Sequence, residues 1–447
     1  MKQHDFTSGS IWRQLLTFST PILLTNLLQV SYQFIDSLWV GNLLGANALG
    51  AVAVSSTVIF TVLSFIIGIN NATLTILSQL KGKDDPEHLK RYVNAFTVIL
   101  TALSVGLGVA GFFFAKDILQ LLDTPTSMIP EAVSYLQINF IGILFLFGYN
   151  FIGTVFRALG NSKTPIRFVL TAVILNTILD PVFIHVFNMG IDGAAYATVV
   201  AQGAAFLYGL FTSIRFKFIP FTVPFLPTKE EVSLILKQGI PAGLQMMVIS
   251  AGMAAIMSVV TSFGGHAVAG FGAAQRLDSL LILPAQALST AVNSMAGQNI
   301  AVHQWRRVNQ IALYATFLNL AIMLTAALFI FLFANWSIRL FITDKEAVAF
   351  GREYIKMVAF FYPFLGLNFV LNGIVRAAGA MFQVLVLNLI SFWVLRYPLT
   401  EFFAGWIGER GVALGMGTSF VISSLFAFSY FYFGKWKKKK LFATERD

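Results

Sequence analysis

Four polar residues set in apolar surroundings carry most of the chemistry this sequence offers: Asp36, Asn176, Asp180 and Thr198. An ionisable group in hydrocarbon costs at least about 2.5–3.5 kcal/mol on insertion scales, so each one retained there needs a reason. Asn176 and Asp180 are four residues apart and share one helix face. At a rise of about 1.5 Å per residue from the polar ends of their stretches, all four groups can lie at one level in the outer half of a membrane. Two carboxylates close together in low dielectric cannot both stay ionised cheaply. One of them can therefore load and release a proton. The pair could equally hold Na⁺ or a cationic substrate, with Asn176 and Thr198 as neutral oxygen ligands. The structural alternative is that Asp36 and Asp180 cap or pin helices near the outer interface; Asp180 precedes Pro181, which suits a bend.

The first apolar stretch adds a polar face. Gln29, Tyr32, Gln33 and Asp36 recur at helical spacings, as expected for side chains looking into a water-filled path or bonding a neighbouring helix. Pro21 lies about four turns before Asp36 and should hinge that helix. Arg276 and Asp278 are two apart and point to different faces, so each is expected to pair with another helix, or Asp278 to take part in transport. Arg396 and Glu401 read as snorkelling or paired near the outer surface, and His185 as interfacial. Met246, Met247, Met253 and Met257 could wall a shape-tolerant site or simply pack.

The elements that must hold these residues follow from composition. The chain is 57% hydrophobic and only 11% charged, against roughly 25% charged in soluble domains. Lipid must therefore be the solvent for much of the surface. Without cysteine there are no disulfides, thiolate metal sites or thiol nucleophiles. Met1 to Ser10 is polar, and the apolar stretch after it is long enough to span and lacks a small-residue cleavage site, so it reads as retained. Twelve apolar stretches of about 20 residues predict an all-α integral membrane protein with twelve transmembrane helices. Lys and Arg concentrate on one side, at Lys81, Lys83, Lys90, Arg91, Arg306, Arg307 and the run Lys437 to Lys440. Both termini are thus expected in the cytoplasm. The basic tail reads as an anchor at anionic lipid rather than a nucleic-acid site.

The halves repeat. At an offset near 220, Pro21 falls on Pro241, Gly45 on Gly265 and Gly50 on Gly270; Arg157-Ala158-Leu159-Gly160 falls on Arg376-Ala377-Ala378-Gly379, and Gly193 on Gly411. Six spans per half imply two pseudo-twofold-related six-helix bundles with an axis along the membrane normal. The boundaries read as 1–217 for the N-terminal lobe, 218–233 for a cytoplasmic linker, 234–434 for the C-terminal lobe and 435–447 for the tail. Parallel repeats with a site at their interface are the plan of alternating-access transporters. No Walker motif is present, so an ion gradient is the expected energy source.

The residues resemble the multidrug and toxic compound extrusion (MATE) family. The likeness covers nearly the whole chain and rests on Pro21 followed by Asp36-Ser37-Leu38-Trp39-Val40-Gly41, on Leu44-Gly45-Ala46, on the two Arg-Ala-x-Gly segments, and on Pro284-Ala285-Gln286-Ala287 and Gly297-Gln298-Asn299. The resemblance implies a plasma-membrane efflux antiporter that exchanges small-molecule drugs and toxic organic cations, bulky and amphipathic, for H⁺ or Na⁺. The chain looks most like the DinF branch, whose N-lobe cation motif lands on Asp36, Asn176, Asp180 and Thr198, with Gln29 lining that lobe and the bending proline at Pro21. The NorM branch places acids in the seventh and tenth spans; here those spans hold none beyond the edge residue Glu353. That departure favours N-lobe coupling, and H⁺ over Na⁺. A C-lobe contribution is left to Asp278, Met253 and Met257. No metal and no organic cofactor is expected, and a monomer suffices. A lipid-linked precursor flippase is the alternative transporter; it would want several central basic residues, where this chain offers chiefly Arg276. A membrane enzyme would want His or acids clustered at one depth, and the five His are scattered.

Overall fold

The computed structural model describes residues 4–442. Among them the chain is helical almost throughout. In the first half lie α1 (Ile11–Leu44), α2 (Ala46–Gly82), α3 (Pro86–Leu121), α4 (Ile129–Ile141), α5 (Ile143–Ala158), α6 (Lys163–Pro181) and α7 (Gly190–Arg215). In the second lie α8 (Lys229–Thr261), α9 (Gly265–Ala301), α10 (Trp305–Arg339), α11 (Lys345–Ala359), α12 (Tyr362–Ala377), α13 (Met381–Leu389), α14 (Tyr397–Ile407) and α15 (Arg410–Phe433).

Nine helical segments among the described residues are long and apolar enough to cross a bilayer, and the bent pairs α4–α5 and α11–α12 add one span each. The helix α1, 34 residues long, completes twelve spans in two six-helix bundles. Its length is ample, at about 50 Å. Its polar face lowers its hydropathy below that of the other spans.

The breaks have local causes. α4 and α5 meet at 48° around Gly142, where a Cβ would lie 2.4 Å from Val199 Cγ2; only glycine lets α7 approach so closely. α11 and α12 meet at 55°, just ahead of Pro363, which has no N–H to continue the ladder. A π-helical turn, Val182–Val186, follows Pro181, and another, Ile390–Arg396, precedes Pro398. Each half thus bends its fourth span and loosens its fifth, a correspondence that composition does not reveal.

The chain divides into two compact units, residues 4–5 with Thr20–Lys237, and Phe6–Ser19 with Gln238–442. The sequence boundary puts residues 6–19 in the N-terminal lobe, whereas their contacts put them in the second unit. Phe6 is fully buried there. Its N–H donates to Gln298 Oε1 at 3.1 Å, and its carbonyl accepts from Asn299 Nδ2 at 3.0 Å and Arg307 Nε at 2.8 Å. The Gln298-Asn299 pair therefore holds the chain entry. The division falls inside α1 between Ser19 and Thr20, one residue ahead of Pro21. The linker is shorter than 218–233: α8 begins at Lys229, because Thr228 and Glu231 form a reciprocal capping box (Thr228 N–H to Glu231 Oε2 2.8 Å, Glu231 N–H to Thr228 Oγ1 3.3 Å).

The two Arg-Ala-x-Gly segments end α5 and α12 with a left-handed glycine, Gly160 at φ +83° and Gly379 at φ +80°. Each is where chain from an end of the protein closes down. His4 N–H donates to Gly160 O at 3.2 Å, and Leu441 packs on Gly379. In the tail, Trp436 is fully buried, with its indole N–H on Phe431 O at 2.7 Å.

Candidate functional site

Within the first unit, α1, α6 and α7 bring the four singled-out residues together. Asp36, Asn176, Asp180 and Thr198 are all buried. Asn176 and Asp180 sit one turn apart on α6, and the Asn176 amide donates to Asp180 Oδ1 at 3.0 Å and to Thr198 Oγ1 at 3.5 Å. Asp36 lies close enough for its charge to act on Asp180. Tyr32, one turn before Asp36, turns its hydroxyl towards Thr198 without closing a hydrogen bond.

The unsatisfied atoms define the site. Asp36 Oδ1, Asp180 Oδ2, Asn176 Oδ1 and the Tyr32 hydroxyl are buried with no hydrogen-bond partner. Each such atom costs about 1–3 kcal/mol, and buried polar groups are ordinarily paired. Four in one cluster mark a place made for something that supplies protons or accepts lone pairs. A proton shared between the carboxylates would do so. A small monovalent cation would equally be met by three acceptor oxygens and the Thr198 hydroxyl.

Two tyrosines escaped sequence reasoning. Tyr135 of α4 is buried within the field of Asp36, Tyr32 and Asp180. Tyr149 of α5 brings its hydroxyl near Gln29. Their only signal was a hydroxyl in an apolar span. Gln33, in contrast, is exposed, with its carbonyl engaged by Ser37 Oγ at 2.9 Å; nothing joins it to the buried atoms. Pro21 lies within an unbroken α1, and Thr25 Oγ1 bonds its carbonyl at 2.8 Å.

In the second unit Asp278 of α9 is buried. It accepts a hydrogen bond from Tyr362 and one from Tyr354 at 3.5 Å. Arg276 is exposed, its guanidinium 5.8 Å from the Phe341 ring centre. Arg396 corrects an expectation: it does not snorkel. It is buried between Phe392 and Phe420, with its guanidinium carbon 3.7 and 4.7 Å from the two ring centres and Nε on Ser419 Oγ at 3.3 Å. The π-helical turn that ends at Arg396 and the two rings supply a polarisable cradle in place of water. Glu401 and His185 are exposed. Met253 and Met257 pack against the hydrophobic core of this unit, and Met253 Sδ lies 4.0 Å from Arg396 Nη1.

Twelve spans in two bundles, with a buried acid pair in one of them, is the architecture of a polytopic membrane transporter. The chain belongs to the MatE family, whose model matches it twice, over residues 21–182 and 241–401. The two matches begin 220 residues apart, the spacing of the internal repeat. It is 64% identical over 446 residues to the probable multidrug resistance protein YpnP of Bacillus subtilis (strain 168), covering 100% of both chains. It is 30% identical over 446 residues to the probable multidrug resistance protein YoeA of the same organism, covering 97% of this chain and 96% of that one. In fold it matches an outward-facing multidrug resistance MATE family transporter of the MOP superfamily, with a TM-score of 0.92, 21% identity, and coverage of 98% and 100%.

Proposed function

We propose that this protein is a secondary-active multidrug antiporter of the DinF-like branch. It exports amphipathic, often cationic compounds across the plasma membrane in exchange for H⁺. The observation that carries the reading is the buried Asp36–Asp180 pair with its unfilled oxygens. Near-identity of length with relatives named for multidrug resistance supports the substrate class. Asp36 takes the proton, and Asp180, Asn176 and Thr198 tune it. Gln29, Tyr32, Gln33 and Asp36 meet the drug. Protonation from outside neutralises Asp36, removes the repulsion between the acids, and lets α1 bend at Pro21 so that the drug leaves. Loss of the proton to the cytoplasm restores the charge and the affinity for cations.

Na⁺ is the second reading. It is favoured by one feature: three of the four orphaned atoms are acceptor oxygens.

The test is ethidium efflux under a ΔpH and a Na⁺ gradient imposed separately. Acid outside, acting alone, should drive efflux, and Asp36→Asn should abolish it. Drive by Na⁺ alone would move the coupling to the second reading. Full efflux by Asp36→Asn would refute the assignment of that residue.

A further inference from the structure

The tenth span is broken, and its two pieces are joined through one side chain of another helix. Tyr354 belongs to α11, before the 55° bend, and Tyr362 opens α12, after it. Both hydroxyls donate to the carboxylate of Asp278 on α9, Tyr362 to Oδ1 and Tyr354 to Oδ2. All three residues are buried. Asp278 thus clamps the two sides of the bend.

We propose that Asp278 is a second proton-exchanging site, separate from the Asp36 cluster, and that its charge state sets the bend of the tenth span. An ionised carboxylate accepts from both tyrosines at once, and such charge-assisted bonds are the strong ones. Once protonated, one of its oxygens becomes a donor, and the hydroxyl facing that oxygen must turn its own proton elsewhere, exchanging a charge-assisted bond for a neutral one. Tyr354 has somewhere to turn: Met416 Sδ lies 3.1 Å from its hydroxyl. Sulfur is a weak acceptor, so the exchange loosens α11 from α9 without leaving the hydroxyl unpartnered. Tyr354 and Tyr362 are the titratable groups facing the carboxylate from the packed helices, and the Arg396 charge acts on Tyr354. This site does not depend on the coupling role given to Asp36.

The absence of native cysteine makes the test direct. Ala349→Cys with Phe364→Cys places spin labels at exposed positions on either side of the bend. In the purified full-length protein the inter-label distance should change between acid and alkaline pH. Asp278→Asn should lock it at the acid value, and Asp36→Asn should leave the change intact. Tyr354→Phe and Tyr362→Phe each remove one donor and keep the ring. Each should move the midpoint by about one pH unit, so they carry the test if Asp278→Asn does not fold. A wild-type distance that is the same at every pH overturns the proposal. So does a change that persists unaltered in Asp278→Asn and both tyrosine variants. A change lost in Asp36→Asn but not in Asp278→Asn overturns it while leaving Asp36 as the coupling residue. An intact Asp278-dependent change in a protein without gradient-driven efflux supports it while removing that other reading.

Discussion

Asn176 is the residue on which the first-unit site turns. Its amide spends its donor side on Asp180 and Thr198, which leaves Oδ1 buried without a partner, like one oxygen of each acid. Removing that amide takes a hydrogen bond from the buried Asp180 carboxylate, and a hydrogen bond to a charged group is worth about 1.5–3 kcal/mol. Asn176→Ala should therefore lower transport about tenfold or more and reduce the melting temperature; uptake into vesicles and thermal shift measure both. Thr198→Val removes only a longer, neutral contact and should cost less. If Na⁺ fills the cluster, adding Na⁺ in place of choline should raise the melting temperature of the wild type by mass action. Asp36→Asn should abolish that rise. An equal rise in both would place any Na⁺ elsewhere.

At the scale of elements, glycines that look equivalent in the repeat have different neighbours. A Cβ on Gly270 would stand 2.4 Å from the Ala347 carbonyl oxygen, which is backbone and cannot yield; on Gly50 it would stand 2.8 Å from Met128 Cε, the end of a flexible side chain. Gly270→Ala should therefore destabilise by about 1–3 kcal/mol, whereas Gly50→Ala should be close to neutral. Thermal denaturation of the two variants side by side decides it. Gly193 and Gly411 do agree: each meets the backbone of the preceding element, at Phe183 and Phe403. The repeat thus conserves helix spacing more closely in the fifth and sixth spans than in the second.

For the whole molecule, the basic tail and the N-terminal segment should both face the cytoplasm. A chain without cysteine lets single introduced thiols report this. Ser8→Cys and Lys440→Cys should react with a membrane-impermeant maleimide only after the membrane is opened, and Lys345→Cys in intact cells. Labelling in the opposite pattern would invert the topology and with it the direction of transport. The tail is also a structural part. Trp436 packs edge-on to Trp305 and stacks on Phe431, with ring centres 6.0 and 5.3 Å away. Trp436→Ala should cost about 3 kcal/mol or more by opening a cavity, seen as a lower melting temperature.

The sequence by itself determined the spans, the repeat and part of the list of buried ionisable groups: Asp36, Asp180, Asp278 and Arg396 are buried, whereas His185, Arg276 and Glu401 are exposed. Hydrophobic length and the cost of charge in hydrocarbon are local properties, and Asp36, Asp180 and Asn176 stand out by them alone. The i, i+4 relation of Asn176 and Asp180 needed only helix geometry. Only the tertiary structure decided which groups meet. Tyr135 and Tyr149 come to the site from spans whose rotation no periodicity fixes. Arg396 is buried between two rings because a π-helical turn leads into it, and nothing in its apolar neighbourhood distinguishes that from snorkelling. Residues 6–19 follow the second unit because Gln298, Asn299 and Arg307, some 300 residues later, bond their backbone. The clamp on Asp278 depends on a bend that places Tyr354 and Tyr362 on one carboxylate, and the angle of a broken helix is set by what packs around it rather than by its own residues.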